Sequence, residues 1–305
     1  MKIAIVGAGA IGRLLAGMLV SGGHTPLLIC RRAEQAAAFG QEGLQFFDLA
    51  GQEQRVEVKA CTGRVPADVD AALLTVKSYD TRTAAQLLPR SMPVLSLQNG
   101  LGNGEILAAH LDPAQLAIGL TTHGATSEGN TKVFYKGAGQ TVIGDWLPTS
   151  EKNSPAHWWA ELFTSCGHAA TVSPDIRTEV WKKAMVNIGI NPFTALYNVR
   201  NGELLESPSL LRVMRLTVEE AERVASLGGV ALENSMERVL DVCRHTAANT
   251  SSMLQDLHNG RPTEIESLCG VIEAVGKQQG IETPYNTMLL ELVREAERRR
   301  TKKAP

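Results

Sequence analysis

The sequence predicts an α/β chain in which a doubly wound, mostly parallel sheet is followed by an all-helical C-terminal domain. Three observations carry that prediction. Strand-like and helix-like runs alternate from residue 1 to about 170, the pattern of a parallel sheet covered by helices. A glycine-rich turn joins the first strand to the first helix, at Gly7 to Gly12. From Asp175 onward the strand signals stop and helix-forming runs dominate. The expected domains are therefore 1–174 and 175–305.

The first element is the apolar strand Lys2-Ile3-Ala4-Ile5-Val6, followed at once by Gly7-Ala8-Gly9-Ala10-Ile11-Gly12. A periodic apolar run through Leu14, Leu15, Met18 and Leu19 then forms a helix closed by Gly22-Gly23. Strand, glycine turn and helix together make the G-x-G-x-x-G dinucleotide fingerprint in its required context. Gly7 permits the tight turn, Gly9 lets a pyrophosphate approach the backbone, and Gly12 lets helix pack on strand. The helix N-terminus adds amides and positive dipole, so Ala8, Ala10 and Ile11 count among the cofactor residues. The domain is thus of the Rossmann type. The second strand, Thr25-Pro26-Leu27-Leu28-Ile29-Cys30, runs into Arg31-Arg32. Where an NAD site usually carries an acid for the ribose hydroxyls, Arg31 offers a guanidinium suited to a 2′-phosphate. That selects NADP; read without a ligand, the two arginines simply open a solvated helix.

Further strands are expected at Leu44–Phe47, Val56–Val58, Ala71–Val76, Pro93–Leu97 and Leu116–Thr122. Phe134-Tyr135 and Thr141–Gly144 flank Lys136-Gly137-Ala138-Gly139 and suggest a hairpin. Residues 150–155 form a polar loop inside the first domain, because a helix and a short strand still follow. Helical runs then span Val180–Leu196, Arg212–Ser226, Ser235–His245, Glu264–Gln279 and Thr287–Arg300, with 301–305 a frayed tail.

Composition excludes several classes. The 305 residues carry 30 basic and 32 acidic side chains, a net charge of −2 that gives no support for binding nucleic acid or a membrane surface. Five scattered cysteines form no C-x-x-C pair and seven histidines no H-x-x-x-H pair, which argues for free thiols in a reducing compartment and against a metal site. No signal peptide fits the N-terminal strand, and no stretch reaches the roughly 20 apolar residues of a membrane helix. The expected location is the cytoplasm. An apolar helical surface could serve a homodimer or only the domain interface.

In an open α/β sheet, ligands bind outside the carboxyl ends of the strands. Lys77, Gln98-Asn99-Gly100 and Thr121-Thr122-His123-Gly124-Ala125 all follow such ends and are read as the nicotinamide half of the site, although each alone suits a turn. His123 invites a general-base role, yet a lone histidine is more often structural. In the helical half, Lys183, Asn187 and Asn191 stand four residues apart, so each step rotates only about 40° and the three heads share one stripe. Trp181, Met185, Ile188 and Phe193 take the other sides. Unpaired in a buried helix these polar heads would cost kilocalories. They either find solvent and backbone partners or line a cleft for a small polar substrate. Ser252 and Glu264 lie in runs that resemble helix starts, and sequence alone does not bring them to Lys183.

These pieces together resemble the ketopantoate reductase family, whose members are also called 2-dehydropantoate 2-reductases. The resemblance rests on GAGAIG at 7–12, Arg31, VKSYDT at 76–81, LQNGLGN at 97–103 and TTHGA at 121–125. It extends through WKKAMVNIGINPFTALYNVRNGEL at 181–204 and SSMLQDLHNGRPTEIE at 251–266, in order and across nearly the whole chain. It implies a Rossmann domain, a helical domain and a cleft between them. It implies NADPH-dependent reduction of 2-dehydropantoate to (R)-pantoate, a step toward pantothenate and coenzyme A. Lys183 matches the proton donor, with Glu264 beside it. Asn187, Asn191, Asn201 and Ser252 match substrate-binding positions. Arg31, Lys77, Asn99, Ala125 and Glu264 match positions that contact or face NADP. Two alternatives stay open: reduction of another 2-oxo acid on the same scaffold, or a non-catalytic NADP-binding sensor.

Overall fold

The structure, a computed structural model, describes residues 1–147 and 154–301. Residues 150–153 of the expected polar loop, and 302–305 of the expected tail, lie outside the described residues. The chain forms two compact units, Met1–Gln98 with Asn103–Ile176, and Asn99–Gly102 with Arg177–Pro305.

The first unit opens β1 (Lys2–Val6), α1 (Ala10–Ser21), β2 (Thr25–Ile29) and α2 (Ala33–Glu42). There follow β3 (Leu44–Phe47), β4 (Glu53–Val56), β5 (Lys59–Cys61), β6 (Ala71–Leu74), α3 (Thr81–Ala85), β7 (Val94–Ser96) and α4 (Asn103–Ala108). It closes with β8 (Leu116–Thr121), β9 (Gly124–Glu128), β10 (Lys132–Gly137), β11 (Thr141–Asp145), α5 (Pro155–Ser165) and β12 (Ala170–Val172). Eight strands make one sheet in the order β12-β11-β8-β7-β6-β1-β2-β5, parallel except where β11 runs against β8. Both faces are covered, so the central strands β1, β6 and β7 are almost wholly apolar and buried. Ile3, Ile5 and Leu73 face one core, while Ala4, Val6, Ala72 and Leu74 face the other. The chain reverses direction across the sheet at β1, which has β2 on one side and β6 on the other. That switch point places the turns after β1 and β6 side by side.

Beside it lies a second sheet, β4-β3-β10-β9, which the sequence pattern does not predict. It corrects the expected hairpin of Phe134-Tyr135 with Thr141–Gly144. β10 has β3 parallel on one edge and β9 antiparallel on the other, so both its rows of backbone groups are taken. β11 instead pairs with β8 and β12 in the large sheet. Likewise Glu57 and Val58, expected in a strand at 56–58, form the passage from β4 in one sheet to β5 in the other.

The second unit is helical: α6 (Ile176–Tyr197), α7 (Pro208–Leu227), α8 (Ser235–His245), α9 (Ser252–His258), α10 (Cys269–Gln279) and α11 (Pro284–Thr301). Its core joins Met185, Ile188 and Phe193 of α6 to Met214, Val218 and Val224 of α7, Val239 of α8 and Leu290 of α11. Each such side chain contributes about 1.5–3 kcal/mol on leaving water. The helix expected from Glu264 begins only at Cys269, after a single 3₁₀ turn at Ile265–Ser267. Its would-be first turn is diverted because the Ser267 carbonyl accepts the Leu101 N–H at 2.7 Å, with Gly100 packed against the Ser267 side chain.

Candidate active site

The glycine turn has the shape that a dinucleotide needs. Gly7 sits at φ +113°, and a Cβ there would fall 2.7 Å from the Val76 nitrogen. A Cβ on Gly12 would lie 2.0 Å from the Gly7 carbonyl oxygen, so α1 could not close on the turn with any other residue. At Gly9, by contrast, nothing lies within 4 Å of the added atom. The turn is therefore tight inside and open outside, a cradle that a phosphate can approach. Thr75 Oγ1 braces it by donating to the Gly7 carbonyl at 2.7 Å.

The other expected cofactor residues divide between the units. Arg31 follows β2 with its guanidinium exposed, 3.6 Å from the Asp80 carboxylate. Lys77 follows β6 and caps the 3₁₀ turn Ser78–Asp80. Gln98 Nε2 donates to the Val76 carbonyl at 3.1 Å and to Thr81 Oγ1 at 2.8 Å, tying the loops after β6 and β7. Ala125 lies in β9 opposite Tyr135. Gly7–Gly12, Arg31, Lys77 and Ala125 thus share the first unit, whereas Asn99 and Glu264 belong to the second.

His123 is held as a structural ring. Its Nδ1 accepts the Gly139 N–H at 3.0 Å and lies 2.8 Å from the Tyr135 hydroxyl. Burial, with a smaller effect from His168, holds its pKa below the usual histidine value.

In the second unit a concavity of about 270 Å³ is lined by Asn99, Gly100, Asn187, Asn191, Ser252, Met253, Asp256, Glu264 and Leu268. The α6 stripe brings Asn187 and Asn191 to its wall as helical periodicity requires. Ser252 opens α9, and that helix is tied to α6 where Thr194 Oγ1 donates to Ser251 Oγ at 2.7 Å. Burial pushes the Lys183 ammonium down to about 8, and the opposing pull of the Glu264 carboxylate does not offset it. Lys182, about 100° round the helix, is paired instead with Glu179 at 2.7 Å. Asn201 does not line the cavity; its amide donates to Thr246 Oγ1 at 2.8 Å and its N–H to the Asn249 carbonyl at 3.1 Å. Gly100 lines the cavity as part of the Gln98-Asn99-Gly100 run, whereas Met253, Asp256 and Leu268 are site residues that the sequence reading misses. Asp256 had a legible signal, since it stands one helical turn past Ser252 and so shares its face.

Among the described residues no helix is long and apolar enough to cross a membrane, and no cluster of three or more potential metal ligands occurs. Models of the ketopantoate reductase PanE/ApbA family match residues 3–148, and those of its C-terminal region match 175–297. The chain is 37% identical to the 2-dehydropantoate 2-reductase of Halobacterium salinarum over 98% of its own length and 99% of that relative. A PanE/ApbA family ketopantoate reductase structure from Ralstonia eutropha aligns with TM-score 0.89 at 31% identity, covering 98% of this chain and 99% of that one. The ternary structure of D-mandelate dehydrogenase with NADH and anilino(oxo)acetate aligns with TM-score 0.92 at 28% identity over 98% and 99% of the two chains. With both halves matched in order and a relative alike from end to end, this chain is an oxidoreductase that belongs to the ketopantoate reductase family.

Proposed function

We propose that this chain reduces 2-dehydropantoate to (R)-pantoate with NADPH, and that Lys183 donates the proton. The observation that carries the reading is the convergence of Asn99, Asn187, Asn191 and Ser252 on one small cavity whose Glu264 carboxylate acts on a buried lysine. The substrate offers a carboxylate, a ketone, a terminal hydroxyl and two methyl groups on one carbon. Amides and a hydroxyl suit its oxygens, and they do not titrate, so they leave the proton to Lys183. Met253 and Leu268 in the same lining suit the methyls.

When bound, NADPH supplies the hydride that reduces the C2 carbonyl. As negative charge gathers on the carbonyl oxygen, an ammonium first stabilises it and then neutralises it. A donor whose pKa is about 8 remains charged at neutral pH yet releases its proton readily. Glu264 keeps that lysine from falling further toward the free amine. Gly7–Gly12 would hold the pyrophosphate, Arg31 the 2′-phosphate, and Lys77, Asn99 and Ala125 would lie along the nicotinamide half. Asn201 would act on the substrate from beside the cavity. We place the reaction in the cytoplasm, where five free thiols stay reduced.

The test is NADPH oxidation followed by absorbance with 2-dehydropantoate against a panel of 2-oxo acids. The expected result is a kcat/KM for 2-dehydropantoate well above the rest. The likeness to D-mandelate dehydrogenase favours a second reading, an NADH-dependent reductase of another 2-oxo acid. Preference for phenylglyoxylate with NADH would establish that reading and remove the first.

A further inference from the structure

The Ala8 carbonyl, in the middle of the glycine turn, accepts two side-chain hydrogen bonds. Arg13 Nε donates to it at 2.9 Å and Gln35 Nε2 at 3.2 Å. Both donors are buried, and Arg13 is only 4% exposed. The same two residues reach the turn between β9 and β10. Arg13 donates to the carbonyls of Lys132 at 2.8 Å and Gly129 at 3.1 Å, and Gln35 to that of Asn130 at 3.4 Å. Its guanidinium also lies 5.7 Å from the centre of the Phe39 ring of α2. Arg13 therefore joins α1, α2, the glycine turn and the 128–132 turn at one point.

The geometry has a consequence for the backbone. A trans peptide is planar, so its C=O and N–H point in opposite directions. No cis peptide occurs among the described residues. Holding the Ala8 carbonyl inward on Arg13 and Gln35 thus turns the Gly9 N–H outward. Sterics do not enforce that orientation, because Gly9 tolerates nearly any φ and has open space around it. Without the two donors the Ala8–Gly9 peptide could rotate and present a carbonyl oxygen to the phosphates instead of an amide.

We infer that Arg13 and Gln35 are positioning residues of the dinucleotide site, which fix the Ala8–Gly9 peptide so that its amide faces the pyrophosphate. This rests on the reading of the chain as a dinucleotide-dependent reductase. The pyrophosphate is common to NADPH and NADH, so losing either donor should weaken both cofactors alike. Adenosine 2′-monophosphate lacks the pyrophosphate and should not notice the change.

The test measures dissociation constants of the full chain, by fluorescence titration for NADPH and NADH and by calorimetry for adenosine 2′-monophosphate. Arg13→Gln and Gln35→Met should each raise the constants for both dinucleotides by about five- to tenfold, the range of one lost hydrogen bond. Both should leave adenosine 2′-monophosphate within a factor of two or so, and Arg13→Lys should recover part of the loss. Should Arg13→Gln fail to fold, Gln35→Met decides. Unchanged dinucleotide binding in the variants would overturn the inference, as would a parallel loss of adenosine 2′-monophosphate, which marks general damage. A wild-type chain that binds neither dinucleotide would instead remove the reading beneath it.

Discussion

Lys183 carries its charge in a buried setting. Its ammonium is present below a pKa of about 8 and is lost above it, because burial penalises the charged form more than Glu264 supports it. If that ammonium gives the proton, kcat for reduction should be level at neutral pH and fall about tenfold per unit once the pH passes that value. The reverse oxidation needs the free amine and should rise over the same window. A reduction rate that stays flat through the alkaline range would contradict the assignment. Arg31 makes a separate prediction. Arg31→Ala should weaken NADPH on the order of 10- to 100-fold, the worth of a charge-assisted bond, and leave NADH nearly unaffected. Equal losses measured for the two cofactors would count against a 2′-phosphate contact. At this scale the sequence was informative wherever spacing alone implies geometry. Lys183, Asn187 and Asn191 share a stripe because four residues make nearly one turn. Ser252 and Glu264 were not placeable, since Ser252 depends on how α9 is tied to α6 and Glu264 precedes a 3₁₀ turn set by Leu101.

Helices with strong periodicity were readable, and α8 spans Ser235–His245 as expected. The small sheet was not. β3 stands where a strand is expected, at Leu44–Phe47, but β4 is half-buried or exposed throughout and lacks the alternation that marks a strand. The parallel pairing of β3 with β10 also joins Gln45 to Lys132, a separation no local pattern reports. Within the helical unit, α7 and α11 are joined by a buried carboxylate. Glu220, fully buried, accepts the N–H groups of Tyr285 at 3.1 Å and Asn286 at 2.8 Å, and the Asn286 amide at 2.8 Å. It thereby satisfies donors in the first turn of α11 that have no partner within their own helix. Glu220→Ala should leave those donors unpaired, at about 1–3 kcal/mol for each of the buried Asn286 groups and less for the part-buried Tyr285 N–H. Denaturant unfolding should show a midpoint lowered accordingly, while Glu220→Gln, which keeps one acceptor, should lose less. An unfolding curve for the alanine variant that superimposes on wild type would reject this role.

For the molecule as a whole, the chain divides into two compact units with an exchange of segments that no sequence pattern reports. Asn99–Gly102 leave the sheet unit after β7 and fold with the helices, where Asn99 and Gly100 line the polar cavity. Four residues in the middle of an α/β pattern carry no signal of that excursion; Leu101 reveals it only by packing into the helical core. The excursion means that the cavity joins Asn99 and Gly100 to Asn187 and Asn191, which are remote from them in the sequence. The proposed reaction nevertheless centres on the Lys183 nitrogen, which lies outside that lining. The proton-donor assignment is tested most directly by turnover of Lys183→Ala with 2-dehydropantoate, measured together with its NADPH dissociation constant. Loss of a preorganised donor at developing charge should lower kcat by at least about 10²- to 10³-fold, with NADPH binding little changed. Near-normal turnover in that variant would contradict it.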